Sequence, residues 1–225
     1  MKILILGGSG IIGSFIHKEL KKSYTVTSTY NNGDSIDRNY AKLDLTDNRT
    51  VNEFVEKCDY YNVVIFFVAL AHKKGRNKDI NEFKKINYQT LANFVSALDK
   101  KDKIPQKFIF SSTISVYGEK YEKTVYKEDS QTNPRSPYAI TKLDAENYLR
   151  KNFNNKLWVL RFSPVYSEFY VHNILRRTKV RNFFFKVGAG QRKLSLCHIS
   201  NITDIINGIL NDIISCGTFN VSDKK

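Results

Sequence analysis

The chain's 225 residues suit one domain, or one domain carrying a small lobe, and a hydrophobic fraction of 41% is enough for a sizeable core. Its formal charge of +14 comes mostly from lysine, yet no long Lys/Arg block and no aromatic–basic motif occurs, so a lysine-rich surface is expected and a nucleic-acid partner is not. Three widely spaced cysteines (Cys58, Cys197, Cys216) argue against a disulfide framework or CxxC metal site, and no stretch reaches membrane-spanning or signal-peptide length, so a cytoplasmic protein without a membrane partner is expected.

The first predicted strand, Lys2-Ile3-Leu4-Ile5-Leu6, runs directly into glycines at 7, 10 and 13. A helix-compatible stretch follows, with Ile11, Ile12, Phe15, Ile16 and Leu20 at helical spacing. Such a strand, tight turn and helix N-terminus can cradle a pyrophosphate. Unpaired N–H groups and the positive end of the helix dipole face the turn, and glycine lets backbone and phosphate approach closely. The pattern points to a bound dinucleotide without saying what is done with it. Further strands are predicted at 24–30, 41–45, 63–69, 107–111 and 157–162, and helices at 51–57, 83–98 and 136–152. In the 83–98 helix Ile86, Leu91, Phe94, Val95 and Leu98 share a face. The last quarter reads as a basic helix-like stretch (172–180), an aromatic strand (183–187) and a helix (202–213). Buried-type strands alternating with helices predict an α/β fold, a doubly wound parallel sheet covered on both faces. Ligands in such sheets gather at the carboxyl ends of the strands.

Two features carry chemistry. Tyr138-Ala-Ile-Thr-Lys142 falls inside a predicted helix, which puts Tyr138 and Lys142 on one face. A free phenol has a pKa of about 10, and a neighbouring ammonium lowers it by stabilising the phenolate. The pair can therefore shuttle a proton to or from a carbinol or carbonyl, although the same spacing is frequent on ordinary helix surfaces. Upstream, the fifth strand ends in Ser111-Ser112-Thr113, where a hydroxyl could orient a reacting oxygen or simply lead into a turn.

These features resemble the extended short-chain dehydrogenase/reductases, and within them the NAD-dependent epimerase/dehydratase group that works on nucleotide sugars. The resemblance is carried by GGSGIIG at 7–13, Asp44-Leu-Thr-Asp47, VIFFVALAH ending at His72, and INYQTLANFVSAL around Asn87. FIFSSTISVYG, SPYAITK, LRFSPVY and GAGQRKLSLCHISNITD continue the series in the family's order over nearly the whole chain. It implies a Rossmann-type NAD(P)-binding domain at 1–162. A short substrate-binding lobe at 163–225, interleaved with the last elements of that core, would complete the chain.

Residue by residue, the resemblance assigns Gly7, Gly10, Ile11, Ile12 and Gly13 to the cofactor's pyrophosphate turn and Asp44 and Leu45 to its adenine. Asp44 has a plainer alternative as a helix cap near Asn48. Asn87 lies near the cofactor. Tyr138 becomes the general acid/base. Lys142 becomes the group that binds the nicotinamide ribose and lowers the tyrosine pKa. Thr113 becomes the hydroxyl that meets the substrate, with Ser112 as the neighbour confusable with it. Arg192 matches a late arginine that meets the substrate's diphosphate or nucleotide, and His72 is read as structural. Members of the family often pair the helices at 83–98 and 136–152 across a two-fold axis, so a homodimer is expected.

Three departures qualify the likeness. The second strand ends Ser28-Thr29-Tyr30-Asn31-Asn32 with no acid to bond the adenosine ribose, and Arg38 follows nearby; this favours NADP over NAD. Ile114-Ser115 stands where 4,6-dehydratases carry an Asp-Glu pair, which argues against dehydration. Family members commonly run on past the equivalent of Phe219-Asn220-Val221-Ser222, so a small sugar-binding lobe is expected. The expected activity is hydride transfer at a ring carbon, C4, of a nucleotide-diphosphate hexose, most similar to the 4-ketosugar reductases of surface-polysaccharide pathways. A 4-epimerase with tightly held NAD and a non-catalytic dinucleotide-binding sensor or scaffold are the alternatives.

Overall fold

The computed structural model describes residues 1–32, 38–71, 79–118, 125–185, 189 and 194–223. In chain order these form β1 (Lys2–Leu6), α1 (Ile11–Leu20), β2 (Thr25–Tyr30), β3 (Tyr40–Lys42), α2 (Asn48–Lys57) and β4 (Val63–Phe66). Next come α3 (Ile80–Lys84), a π turn (Lys85–Gln89), α4 (Thr90–Lys100), β5 (Lys107–Thr113), α5 (Pro137–Phe153) and β6 (Leu157–Phe162). The remainder is β7 (Val165–Tyr166), α6 (His172–Thr178), β8 (Lys179–Val180), β9 (Phe183–Phe184), β10 (Cys197–His198), α7 (Ile199–Leu210) and β11 (Gly217–Val221). Seven strands make one sheet in the order β11-β6-β5-β4-β1-β2-β3, every neighbouring pair parallel. This is the doubly wound Rossmann-type arrangement expected of the alternating pattern.

Strand alternation divides the core into two layers. Leu4, Leu6, Phe66, Phe108, Phe110 and Val159 pack with α2, α4 and α5 on one face. Ile3, Ile5, Ile65, Ile109, Trp158 and Leu160 pack with α1 and α7 on the other. Both faces of the central strands are therefore dry, which is why their sequences are apolar without interruption.

Several boundaries differ from the sequence reading. The 41–45 strand is Tyr40–Lys42, because the amide of Leu43 makes the last rung to the Tyr30 carbonyl and Asp44 then turns onto Thr46. The 63–69 strand stops at Phe66, where its neighbour β1 ends and Gly7 turns away. The 107–111 strand runs on to Thr113, because β6 accompanies it as far as Phe162. The 83–98 helix starts earlier, at Ile80 capped by Asp79, and carries a π turn. The last helix runs from Ile199 to Leu210, capped by the His198 side chain, and not over 202–213. The aromatic strand predicted over 183–187 is the two-residue β9, with 186–188 outside the described residues. The strand β11 is unpredicted: GTFNV has no strong pattern, and only pairing along β6 makes it a strand.

Candidate active site

At the carboxyl end of β1, Gly7 takes φ +80°, a left-handed conformation that favours glycine, and the turn closes with a 3.1 Å bond from the Gly10 amide to the Gly7 carbonyl. A Cβ on Gly13 would stand 2.2 Å from the Gly7 carbonyl oxygen, so only glycine lets α1 lie this tightly on the turn. Ile11, Ile12 and Gly13 form the first turn of α1, whose amides have no preceding helical turn to bond. Asp47, Ser136 and His198 cap α2, α5 and α7 with side chains, whereas Gly10 offers α1 none. A cleft of about 260 Å³ opens over this end. Gly7, Ser9 and Gly10 line one side, Thr29, Tyr30 and Asn31 the end of β2, Leu43, Asp44, Leu45 and Thr46 the far wall, and Phe67, Val68 and Ala69 the β4 side. A turn on which α1 seats this closely, and a first helical turn that no side chain caps, fit a dinucleotide diphosphate laid across the cleft.

Asp44 does not cap α2; Asp47 does, accepting from the Arg49 amide at 2.8 Å. The Asp44 carboxylate instead accepts from the amide and hydroxyl of Thr46 at 2.8 and 2.7 Å, fixing the wall of the cleft. Arg38 is exposed in the turn before β3 and is not among the cleft-lining residues. Asn87 is fully buried behind the cleft, within the π turn. It accepts from the Leu70 amide at 2.7 Å and donates to the Leu70 carbonyl and the Thr141 hydroxyl at 3.2 and 3.1 Å. It thereby bolts the loop after β4 to the residue preceding Lys142.

Lys142 is 1% exposed and its ammonium donates to the Ser111 carbonyl at 2.8 Å, with the Phe110 ring 4.6 Å away. The Ser111 hydroxyl in turn donates to the Phe66 carbonyl, so α5, β5 and β4 are tied together at their site ends. Burial disfavours the ammonium and brings its pKa down to about 7, against a smaller upward pull from Glu146. One turn earlier on α5, Tyr138 has its phenol pushed up to about 12 by desolvation, and the Arg176 guanidinium of α6 draws it slightly down. The lowering expected from Lys142 is therefore not seen: desolvation of the phenol outweighs the cationic pull on it, which comes from Arg176.

The hydroxyls that end β5 separate by face. Ser112 donates to Glu146 at 2.5 Å, on the α5 side, while Thr113 accepts from the Ser115 amide at 3.2 Å at the strand's end. The sequence reading missed the network that Ser112 joins. Glu146, wholly buried, accepts from Arg161 at 2.7 and 3.1 Å and from Arg150 at 3.1 and 3.2 Å. Arg161 also donates to the Tyr117 hydroxyl at 2.8 Å, and Tyr117 donates to Asn220 of β11. The signal was present: an arginine inside the apolar strand LWVLRF has to be paired, and Glu146 lies one helical turn beyond Lys142. Arg192 and His72 lie outside the described residues.

The NAD dependent epimerase/dehydratase family model matches residues 3–221. The chain belongs to this family. An uncharacterised UDP-glucose epimerase of Bacillus subtilis (strain 168) is 25% identical over 93% of this chain and 72% of its own length. A putative UDP-glucose 4-epimerase of Methanocaldococcus jannaschii is 29% identical over 74% of this chain, which spans only 56% of that relative. Among solved structures, UDP-glucuronic acid 4-epimerase from Bacillus cereus, in complex with UDP-glucuronic acid and NAD, superposes with a TM-score of 0.78. It is 23% identical and covers all of this chain and 78% of its own. The family is NAD dependent by its description, and the comparisons lend no support to the preference for NADP. No described helix is long and apolar enough to cross a membrane.

Proposed function

We propose that this protein is a nucleotide-sugar 4-epimerase, moving hydride from and back to C4 of a nucleotide-diphosphate hexose. The observation that carries the proposal is Lys142. A lysine held dry at the sheet's ligand-binding end, one turn from a desolvated tyrosine, is costly to fold and useful where a phenol must release and regain a proton. The names of the curated relatives favour the epimerase over the 4-ketosugar reductase reading, which uses the same residues in one direction only.

Gly7, Gly10 and the Ile11–Ile12–Gly13 turn would hold the dinucleotide's diphosphate, with Asp44 and Leu45 against its adenine and Asn87 steadying the wall behind it. When bound, the dinucleotide supplies and receives hydride. Thr113 holds the C4 oxygen of the sugar, Tyr138 takes the proton from that oxygen and later returns it, and Lys142, in its ammonium form, favours the phenolate and meets the ribose hydroxyls. Arg192 would meet the substrate's diphosphate. The ketone must turn over between the two transfers, so the opposite face receives hydride and no cofactor is consumed.

Tyr30 and Asn31 present no carboxylate against a 2′-phosphate, the ground for weighing NADP, whereas the family's cofactor is NAD. Calorimetric titration with each dinucleotide decides between them. A homodimer through α4 and α5, and a role in making sugars for surface polysaccharides in the cytoplasm, complete the reading; sedimentation equilibrium tests the dimer. The activity is tested by Tyr138→Phe. Turnover of nucleotide hexoses falls about 10²- to 10⁴-fold while dinucleotide affinity is kept. A wild-type protein that binds dinucleotide, inverts no nucleotide hexose and reduces no nucleotide 4-keto-hexose would instead be the sensor or scaffold.

A further inference from the structure

Between Glu168 and Asp204 the sequence contains no acidic residue. Within that stretch α6 carries Arg176 and Arg177, and the ribbon that follows pairs Lys179 and Val180 of β8 with Phe184 and Phe183 of β9 around Arg181, whose φ is 54°. Phe183 is 77% exposed, Phe184 73% and Val180 60%. Consecutive strand residues point to opposite faces, so exposed side chains stand on both sides of the ribbon, Val180 and Phe183 on one and Phe184 beside the half-buried Lys179 on the other. A protein partner laid flat on a strand pair covers one face; a medium that surrounds the tip covers both. The Lys179 ammonium lies 5.5 Å from the Phe184 ring, so cation and aromatic are interleaved. Aromatic rings and cations with no acid among them are the composition that enters the headgroup region of an anionic bilayer.

We propose that the β8–β9 ribbon docks this protein on an anionic phospholipid surface, Phe183 and Phe184 entering the interface and Lys179 and Arg181 facing headgroup phosphates. The contact is interfacial and needs no spanning helix. Arg176 of α6 stands close enough to Tyr138 to influence its phenol, so the helix that leads into the ribbon also borders the active-site tyrosine.

The test is flotation of the purified chain with vesicles of equimolar phosphatidylglycerol and phosphatidylcholine, against phosphatidylcholine alone. Partition into the anionic vesicles is expected to be about tenfold or more stronger. It falls about tenfold in Phe183→Ser/Phe184→Ser, and Lys179→Gln/Arg181→Gln erases the preference for anionic lipid. Near-UV circular dichroism and dinucleotide binding confirm that both variants are folded. The proposal is overturned by equal or absent partition into the two vesicle types, or by partition that the phenylalanine variant leaves unchanged. It is also overturned if the variant instead dissociates an oligomer that binds no vesicle, since the ribbon is then covered by a second copy of the chain.

Discussion

Ser112 and Thr113 are one strand residue apart, and that step sends their hydroxyls into different environments. Ser112 is committed to Glu146, whereas Thr113 sits at the strand end and accepts from the neighbouring Ser115 amide. Thr113→Val should therefore lower turnover with little loss of stability, while Ser112→Ala should cost about 1–2 kcal/mol of stability and leave the pH profile of turnover unchanged. Denaturant melts and kinetics on the two variants check this. Lys142 gives a second prediction. Its ammonium titrates at 10.5 in a free chain and about 7 in the fold, so the unfolded chain binds more protons between those values and stability rises with pH across the interval. Below about pH 7 the full burial cost is present. Lys142→Met should raise Tm of the ligand-free protein more at about pH 6 than at about pH 10, and abolish turnover at both. Tyr138, Lys142 and the glycines were legible in sequence because each combines a rare chemistry with a fixed spacing. The choice between Ser112 and Thr113 was not, because it depends on which face of β5 meets α5.

At the scale of elements, the site depends on how closely α1 seats on its turn and how firmly α5 is held. Gly13→Ala puts a carbon into space already filled by the Gly7 carbonyl. Dinucleotide binding by that variant, measured by calorimetry, should fall at least about tenfold, the change being forced on the same amides proposed to hold the diphosphate. Glu146 holds α5 to β6 through Arg161, which reaches Tyr117 and, through it, Asn220 of β11. Glu146→Ala leaves a buried guanidinium without its carboxylate and should cost about 3–5 kcal/mol in urea denaturation. Apolar runs such as VVIF and KILIL disclosed the central strands, since both faces are dry. The π turn and β11 were not disclosed: Asn87 makes the first by reaching Leu70 and Thr141, and β6 makes the second by offering an edge. Both depend on partners distant in sequence.

For the whole molecule, the parallel sheet collects the glycine turn, the Asp44 wall, the Asn87 bolt and the α5 pair at one end, where strand carboxyl termini converge. That convergence, more than any single motif, fits a dinucleotide lying across the carboxyl ends of the strands. The excess of positive charge is less decisive, since it is spread over many surface lysines; the acid-free stretch around the β8–β9 ribbon concentrates it beside exposed aromatics. The central claim is tested most directly by incubating the protein and its dinucleotide with nucleotide hexoses carrying deuterium at C4, and reading the products by NMR. The account predicts inversion at C4 with the deuterium retained on that carbon and no net change in dinucleotide redox state. Inversion with loss of deuterium to water, or no inversion of any nucleotide hexose by protein that binds the dinucleotide, would contradict it.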